Sequence, residues 1–122
     1  MLDRLKLLIR SENAIITLDT RDEHQAVELA RRAADDMALP LFEWSVTAGL
    51  HRVKPSAAET GVKPGKAGPA LDYVLDNKGD NEIYLFKDLG PHTKDPIIQR
   101  QLHDVCGKHG LTLILIDGDP LP

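Results

Sequence analysis

Two short apolar runs near opposite ends of the chain, residues 14–18 and 111–116, restrict the possible folds more than any other feature of the sequence. The first carries Ala14, Ile15, Ile16 and Leu18, and the second Leu111, Leu113, Ile114, Leu115 and Ile116, each broken by one threonine. Both are short enough for strands and too continuously apolar for a sheet with one wet face, so they predict interior strands. Between them the period changes to that of a helix. Ala26, Val27, Ala30, Ala33, Ala34 and Met37 share one face of small side chains that can lie close on a sheet, with Thr20 and Glu23 at capping-box spacing upstream. Leu39 and Pro40 end that segment.

Residues 41–46 follow, with Phe42, Trp44 and Val46 alternating against Glu43 and Ser45, a pattern that predicts an edge strand with one face partly wet. Residues 83–86 read as a third strand. Asp95 and Pro96 form an N-cap and first helical position for a stripe of Ile98, Leu102, Val105 and Cys106, and Gly110 stands where a left-handed cap is wanted. Leu2, Leu5, Leu8 and Ile9 predict an amphipathic helix ahead of the first strand, and Pro69 a short helix through Leu71, Val74 and Leu75. Residues 48–69, rich in Gly, Pro and Lys, read as a long flexible loop, and 77–81 as a turn. Helices alternating with strands call for a parallel sheet with right-handed crossovers, covered on both faces. The expectation is one α/β domain over residues 1–122, a three-layer sandwich with a mainly parallel four-stranded sheet.

At 122 residues the chain has room for one core and little more. Apolar residues at 42% and charged residues at 28% fit a folded protein rather than a disordered one. The net charge of -4 gives no overall positive field to draw a phosphate backbone, and the basic residues His51, Arg52, Lys54, Lys63 and Lys66 are spread among Pro and Gly as in a solvated loop. Nucleic acid and membrane are therefore not expected as partners. A single cysteine, Cys106, excludes an internal disulfide and fits a reducing, cytoplasmic setting; it reads as core. Residues 1–10 mix charges through their apolar positions, unlike a signal peptide, and no segment is long enough to span a bilayer.

Ligands of open parallel sheets sit beyond the carboxyl ends of the strands. Here those ends carry Asp19, Thr47, Asp88 and Asp117. A phosphate-binding loop needs Gly-x-x-x-x-Gly-Lys-Ser/Thr between strand and helix, because backbone N–H groups must wrap the phosphates. After the first strand the chain instead has Asp19-Thr20-Arg21-Asp22-Glu23, with no glycine and three carboxylates that would repel phosphate. Gly65-Lys66 is a superficial match only, since Thr60 and Ala67 occupy the other required positions. At the end of the third strand Lys87-Asp88 stands where nucleotide-hydrolysing sheets carry two acids, and a lone carboxylate beside an ammonium is expected to be an ion pair or cap contact. Asp19, Lys87 and Asp88 are the cofactor-binding candidates. Asp19, Asp88 and Asp117 could together approach a magnesium ion, but strand-end acids are also common turn residues. His24, His51, His92, His103 and His109 show no zinc-ligand spacing, and Ser11, Ser45 and Ser56 lack a nucleophile-elbow context, so neither a metal site nor a catalytic residue is assigned. Trp44 reads as packing, and Arg100, on the outer side of its helix, is the one candidate partner contact.

Several stretches in the same order resemble the N-terminal region of AAA-type ATPases related to the chloroplast hypothetical reading frame 46 protein. They are Leu2-Asp3-Arg4-Leu5-Lys6-Leu7-Leu8-Ile9-Arg10, Leu39-Pro40-Leu41-Phe42-Glu43-Trp44-Ser45-Val46-Thr47-Ala48-Gly49-Leu50, Ala70-Leu71-Asp72-Tyr73, Ile83-Tyr84-Leu85-Phe86-Lys87-Asp88 and Asp95-Pro96-Ile97-Ile98-Gln99-Arg100-Gln101-Leu102. The resemblance implies a degenerate P-loop ATPase core that precedes a complete ATPase module. It also implies a strand order in which the first strand lies beside the fourth, then the third, with the second at the edge. What it implies for function is a non-catalytic regulatory or oligomerisation domain, with ATP and Mg²⁺ used only in the parent protein and with partners that are proteins: the downstream module or other copies of the chain. A receiver-like signalling domain, with Asp19 and Asp88 as magnesium and phosphorylation positions, and a vestigial nucleotide-binding module are the alternatives.

Overall fold

Alternation of helix and strand along the chain builds a single continuous sheet with a pair of helices on each face. The computed structural model describes residues 1–11, 14–18, 22–76, 81–108 and 110–116. The elements run α1 (Leu2–Arg10), β1 (Ile15–Leu18), α2 (Glu23–Met37), β2 (Leu41–Ser45), β3 (Gly49–Lys54), β4 (Ala58–Glu59), α3 (Ala67–Leu75), β5 (Glu82–Phe86), α4 (Pro96–Cys106) and β6 (Leu111–Ile116). The strand order is β1-β6-β5-β2-β3-β4. The pairs β1–β6, β6–β5 and β5–β2 are parallel, while β2–β3 and β3–β4 are antiparallel.

The sheet is therefore six-stranded and mixed, not four-stranded. The expected order of the four parallel strands holds, but the second of them is no edge. Residues 48–69, expected as a loop, carry β3 and β4, which extend the sheet past β2: β3 forms a hairpin with β2, and β4 adds to the outer side of β3. Gly49 makes the hairpin possible: its φ is +75°, and a Cβ there would overlap the carbonyl oxygen of Val62. Beyond the strands the Thr60 hydroxyl donates to the Leu50 carbonyl at 2.6 Å, and Gly65 N–H donates to the Val46 carbonyl at 2.9 Å. Polar side chains and glycines that read as loop composition thus close hydrogen bonds of an ordered connection.

Local capping follows the sequence in part. Asp95 caps α4 as expected, accepting from Ile97 N–H at 2.8 Å, with Pro96 at the first helical position. The helix ends at Cys106 with Gly107 as its cap, so Gly110 (φ +81°) leads into β6 instead of closing α4, and Cys106 is exposed rather than core. Helix α2 is capped by Asp22, which accepts from Gln25 N–H; Thr20 of the expected capping box lies outside the described residues. Its other end is closed by Ala38 in the left-handed conformation. Helix α3 begins two residues before Pro69, within the first turn where a missing N–H costs nothing.

The sheet separates two apolar clusters. On one face α1 and α2 pack Leu5, Ile9, Val27, Ala30 and Ala34 against Ile16, Leu41, Ile83, Leu85 and Ile114. On the other, α3 and α4 pack Ala70, Leu71, Val74, Ile98 and Val105 against Phe42, Trp44, Tyr84, Phe86 and Leu113. Strict alternation along β2, β5 and β6 sends neighbouring side chains to opposite clusters, the arrangement that continuous apolar strands require.

Candidate functional site

Of the carboxyl ends of the parallel strands, where ligands of such sheets sit, those of β2 and β5 lie among the described residues and carry the chain's own charges. Lys87, just past the end of β5, places Nζ 3.1 Å from Glu43 Oε1. Arg31, from α2, donates through Nε to Glu43 Oε2 at 2.8 Å and through Nη2 to Oε1 at 3.1 Å. Glu43 itself is 1% exposed, so a buried carboxylate is held by two cations, one of them bidentate. Burial pushes its pKa up, but hydrogen bonds from Arg31 and Lys87, together with their positive charge, outweigh that and hold it below the usual value. The same contact raises the pKa of Arg31, chiefly through its hydrogen bond to Glu43.

Asp88 accepts a hydrogen bond from Val46 N–H at 2.9 Å, and Lys87 N–H donates to the Trp44 carbonyl at 3.0 Å. Both candidate residues thereby tie the end of β5 to the end of β2. Asp19 and Asp117 lie outside the described residues, so their approach to Asp88 does too. No cluster of His, Cys, Asp and Glu suited to a metal ion occurs among the described residues. Trp44 is fully buried, packed on Phe86 with ring centres 5.2 Å apart and edge-on to His92 at 5.9 Å. Arg100 is exposed on α4 and reaches Asp104 one turn on, Nε to Oδ1 3.3 Å.

Two features escaped the sequence. One is Glu43, whose place in an alternating pattern reads as the wet side of an edge strand. The signal that could have found it is a lone acid inside an apolar strand, with basic residues supplied by the preceding helix and the neighbouring strand end. The other is a groove of about 680 Å³ where α1, the first half of α2 and β1 meet. Leu5, Leu8, Ile16, Leu18 and Leu29 line it, and Arg4 and Arg32 also border it. Its lining comes from residues far apart in sequence, so no local pattern marks it.

Four parallel strands, with internal ion pairs linking β2 and the end of β5 among the described residues and two antiparallel strands added on one side, define a mixed α/β domain. The family model for the N-terminal domain of SpoVK-like AAA ATPases matches residues 1–120, and the chain belongs to that family. Comparison with curated proteins and with solved structures gives no match. Among the described residues no helix is long and apolar enough to cross a membrane.

Proposed function

We propose that the chain is a non-catalytic regulatory or oligomerisation domain at the N-terminus of an AAA-type ATPase, a scaffold of degenerate P-loop type that holds partners rather than nucleotide. The observation that carries this reading is the family match across residues 1–120. The sequence adds support: it contains no Gly-x-x-x-x-Gly-Lys-Ser/Thr, so an intact Walker A motif is lacking. Further support comes from Lys87, whose ammonium is engaged by Glu43 rather than left to face a phosphate.

In this reading ATP and Mg²⁺ serve the parent protein's ATPase module, the partners are that module or other copies of the chain, nucleic acid and membrane are not involved, and the setting is cytoplasmic. Kinship with the chloroplast hypothetical reading frame 46 protein is part of the same proposal. The test is incubation of the purified chain with ATP and Mg²⁺, followed by phosphate release and by thermal melting with and without nucleotide. No turnover and no ATP-dependent rise in melting temperature are expected. Turnover that Lys87→Ala or Asp88→Ala abolishes would overturn the proposal.

A further inference from the structure

We propose that the chain pairs with a second copy of itself through the outer edge of β1, joining the two sheets across a two-fold axis at Ile16. This rests on the reading of the domain as one that holds protein partners and names the partner and the surface.

Among the described residues β1 pairs with β6 alone. The side of β1 on which each backbone group lies follows from its register. Ile15 is opposite Leu113, and Leu113 N–H donates to the Ala14 carbonyl at 2.7 Å. In a parallel ladder the residues flanking a bridge carry its hydrogen bonds, so Ala14, Ile16 and Leu18 turn their backbone groups toward β6. Ile15 and Thr17 turn theirs the other way, to the outer edge.

Spacing of two between the outward residues makes this edge self-complementary. In an antiparallel pair centred on Ile16, Ile15 of one copy faces Thr17 of the other, and each such pair exchanges both its N–H···O bonds. The two Ile16 side chains then meet at the axis on the face that α1 and α2 cover, in the closer, non-hydrogen-bonded position where β-branched pairs pack well. The strand, four residues long, carries no charge, no proline and no bulge among Ile15, Ile16, Thr17 and Leu18. At the opposite edge, β4 is two residues long and ends in Glu59. The apolar groove opens beside the same strand, with Ile16, Thr17 and Leu18 in its wall. Strand pairing there also removes apolar surface from water, which gives the short pair a second source of stability.

Sedimentation equilibrium over about a hundredfold range of concentration reads the result, because dimerisation follows mass action. The apparent mass of the chain is expected to double toward high concentration. Thr17→Pro removes only a donor that faces away from β6, a position where an edge strand tolerates proline, and is expected to keep the circular dichroism spectrum and lose the dimer. Thr17→Val retains the N–H and is expected to keep both. Should Thr17→Pro fail to fold, amide exchange decides: at Ile15 and Thr17 of the unaltered chain it is expected to slow as concentration rises, and concentration-independent exchange overturns the proposal. A monomer throughout the range, or a dimer that folded Thr17→Pro leaves intact, overturns it as well. Neither result bears on whether the chain turns over ATP, which is read in a separate assay.

Discussion

Glu43 shows how much of the domain's stability can rest on one side chain. Its carboxylate is buried between the Arg31 guanidinium and the Lys87 ammonium, and these contacts bind α2, β2 and the end of β5 together. Glu43→Gln keeps the shape but removes the charge, leaving two cations to face one another with a neutral amide between them. A loss of about 1–3 kcal/mol is expected, the range for losing one partner of a charged hydrogen-bonded pair, since the two cations left behind are partly exposed to water, and equilibrium urea unfolding measures it. The pH dependence has a definite sign. The folded pKa of Glu43 lies below its unfolded value, so the native state favours the ionised form. That stability is fully present above the usual glutamate pKa of about 4.3 and is lost as pH falls through the lower folded value. In Glu43→Gln the fall in stability on acidification is expected to be shallower, with both curves measured by urea titration between neutral and strongly acidic pH. The sequence displayed half of this site. Lys87-Asp88 stood out as a strand-end pair, expected as an ion pair or a cap contact, but the ammonium pairs with Glu43 and the carboxylate accepts from Val46 N–H; Glu43 was hidden because a paired buried acid and a solvated one produce the same alternation.

Among the elements, the hairpin formed by β2 and β3 is where local reading failed, and the cause is physical. The sequence of β3, Gly49 to Lys54, alternates weakly because it pairs on both sides yet keeps four of its six residues half-exposed. Its place in the sheet is set by pairing with β2, from Leu41 opposite Lys54 to Ser45 opposite Gly49, rather than by its own periodicity. The elements with strong periods, α1, α2, α4, β1 and β6, were legible as helices and strands because helical stripes and continuous apolar runs are local properties, but β1, read as interior, lies at the edge of the sheet among the described residues, since which strands flank it is not local. Gly49 is the position on which the hairpin depends. Gly49→Ala must place a side chain at φ +75° and into the carbonyl oxygen of Val62, which is backbone and cannot step aside. The expected cost is at least ~2 kcal/mol, visible as a lower urea midpoint. A control at the same scale is Asp95→Ala, which removes only the α4 cap that Ile97 N–H uses. Its expected cost is ~1 kcal/mol, and the same titration ranks the two.

At the scale of the whole molecule the question is whether two apolar clusters, separated by a sheet, unfold as one. Neither can persist alone, because β2, β5 and β6 contribute alternate residues to each: Leu41 and Phe42, Ile83 and Tyr84, Leu113 and Ile114 point to opposite sides. Removing the support beneath a strand on one face therefore loosens its residues on the other. Trp44, the only tryptophan of the chain, is fully buried in the α3/α4 cluster and reports on that face. Ile114 is fully buried in the α1/α2 cluster and does not belong to the one that holds Trp44. Ile114→Ala is expected to cost about 2–5 kcal/mol, the range for emptying a well-packed core position. The distinguishing expectation concerns which signals move. If the sheet couples the two faces, Trp44 fluorescence and far-ultraviolet circular dichroism, which sees all four helices, shift to the same lower urea midpoint and remain superimposable. Were the clusters independent, circular dichroism would split into two steps while Trp44 fluorescence kept its original midpoint. A single shifted transition would establish that the strands transmit packing from the face bearing α1 and α2 to the face bearing α3 and α4, so that an event at β1 or α1 bears on the stability of the whole domain.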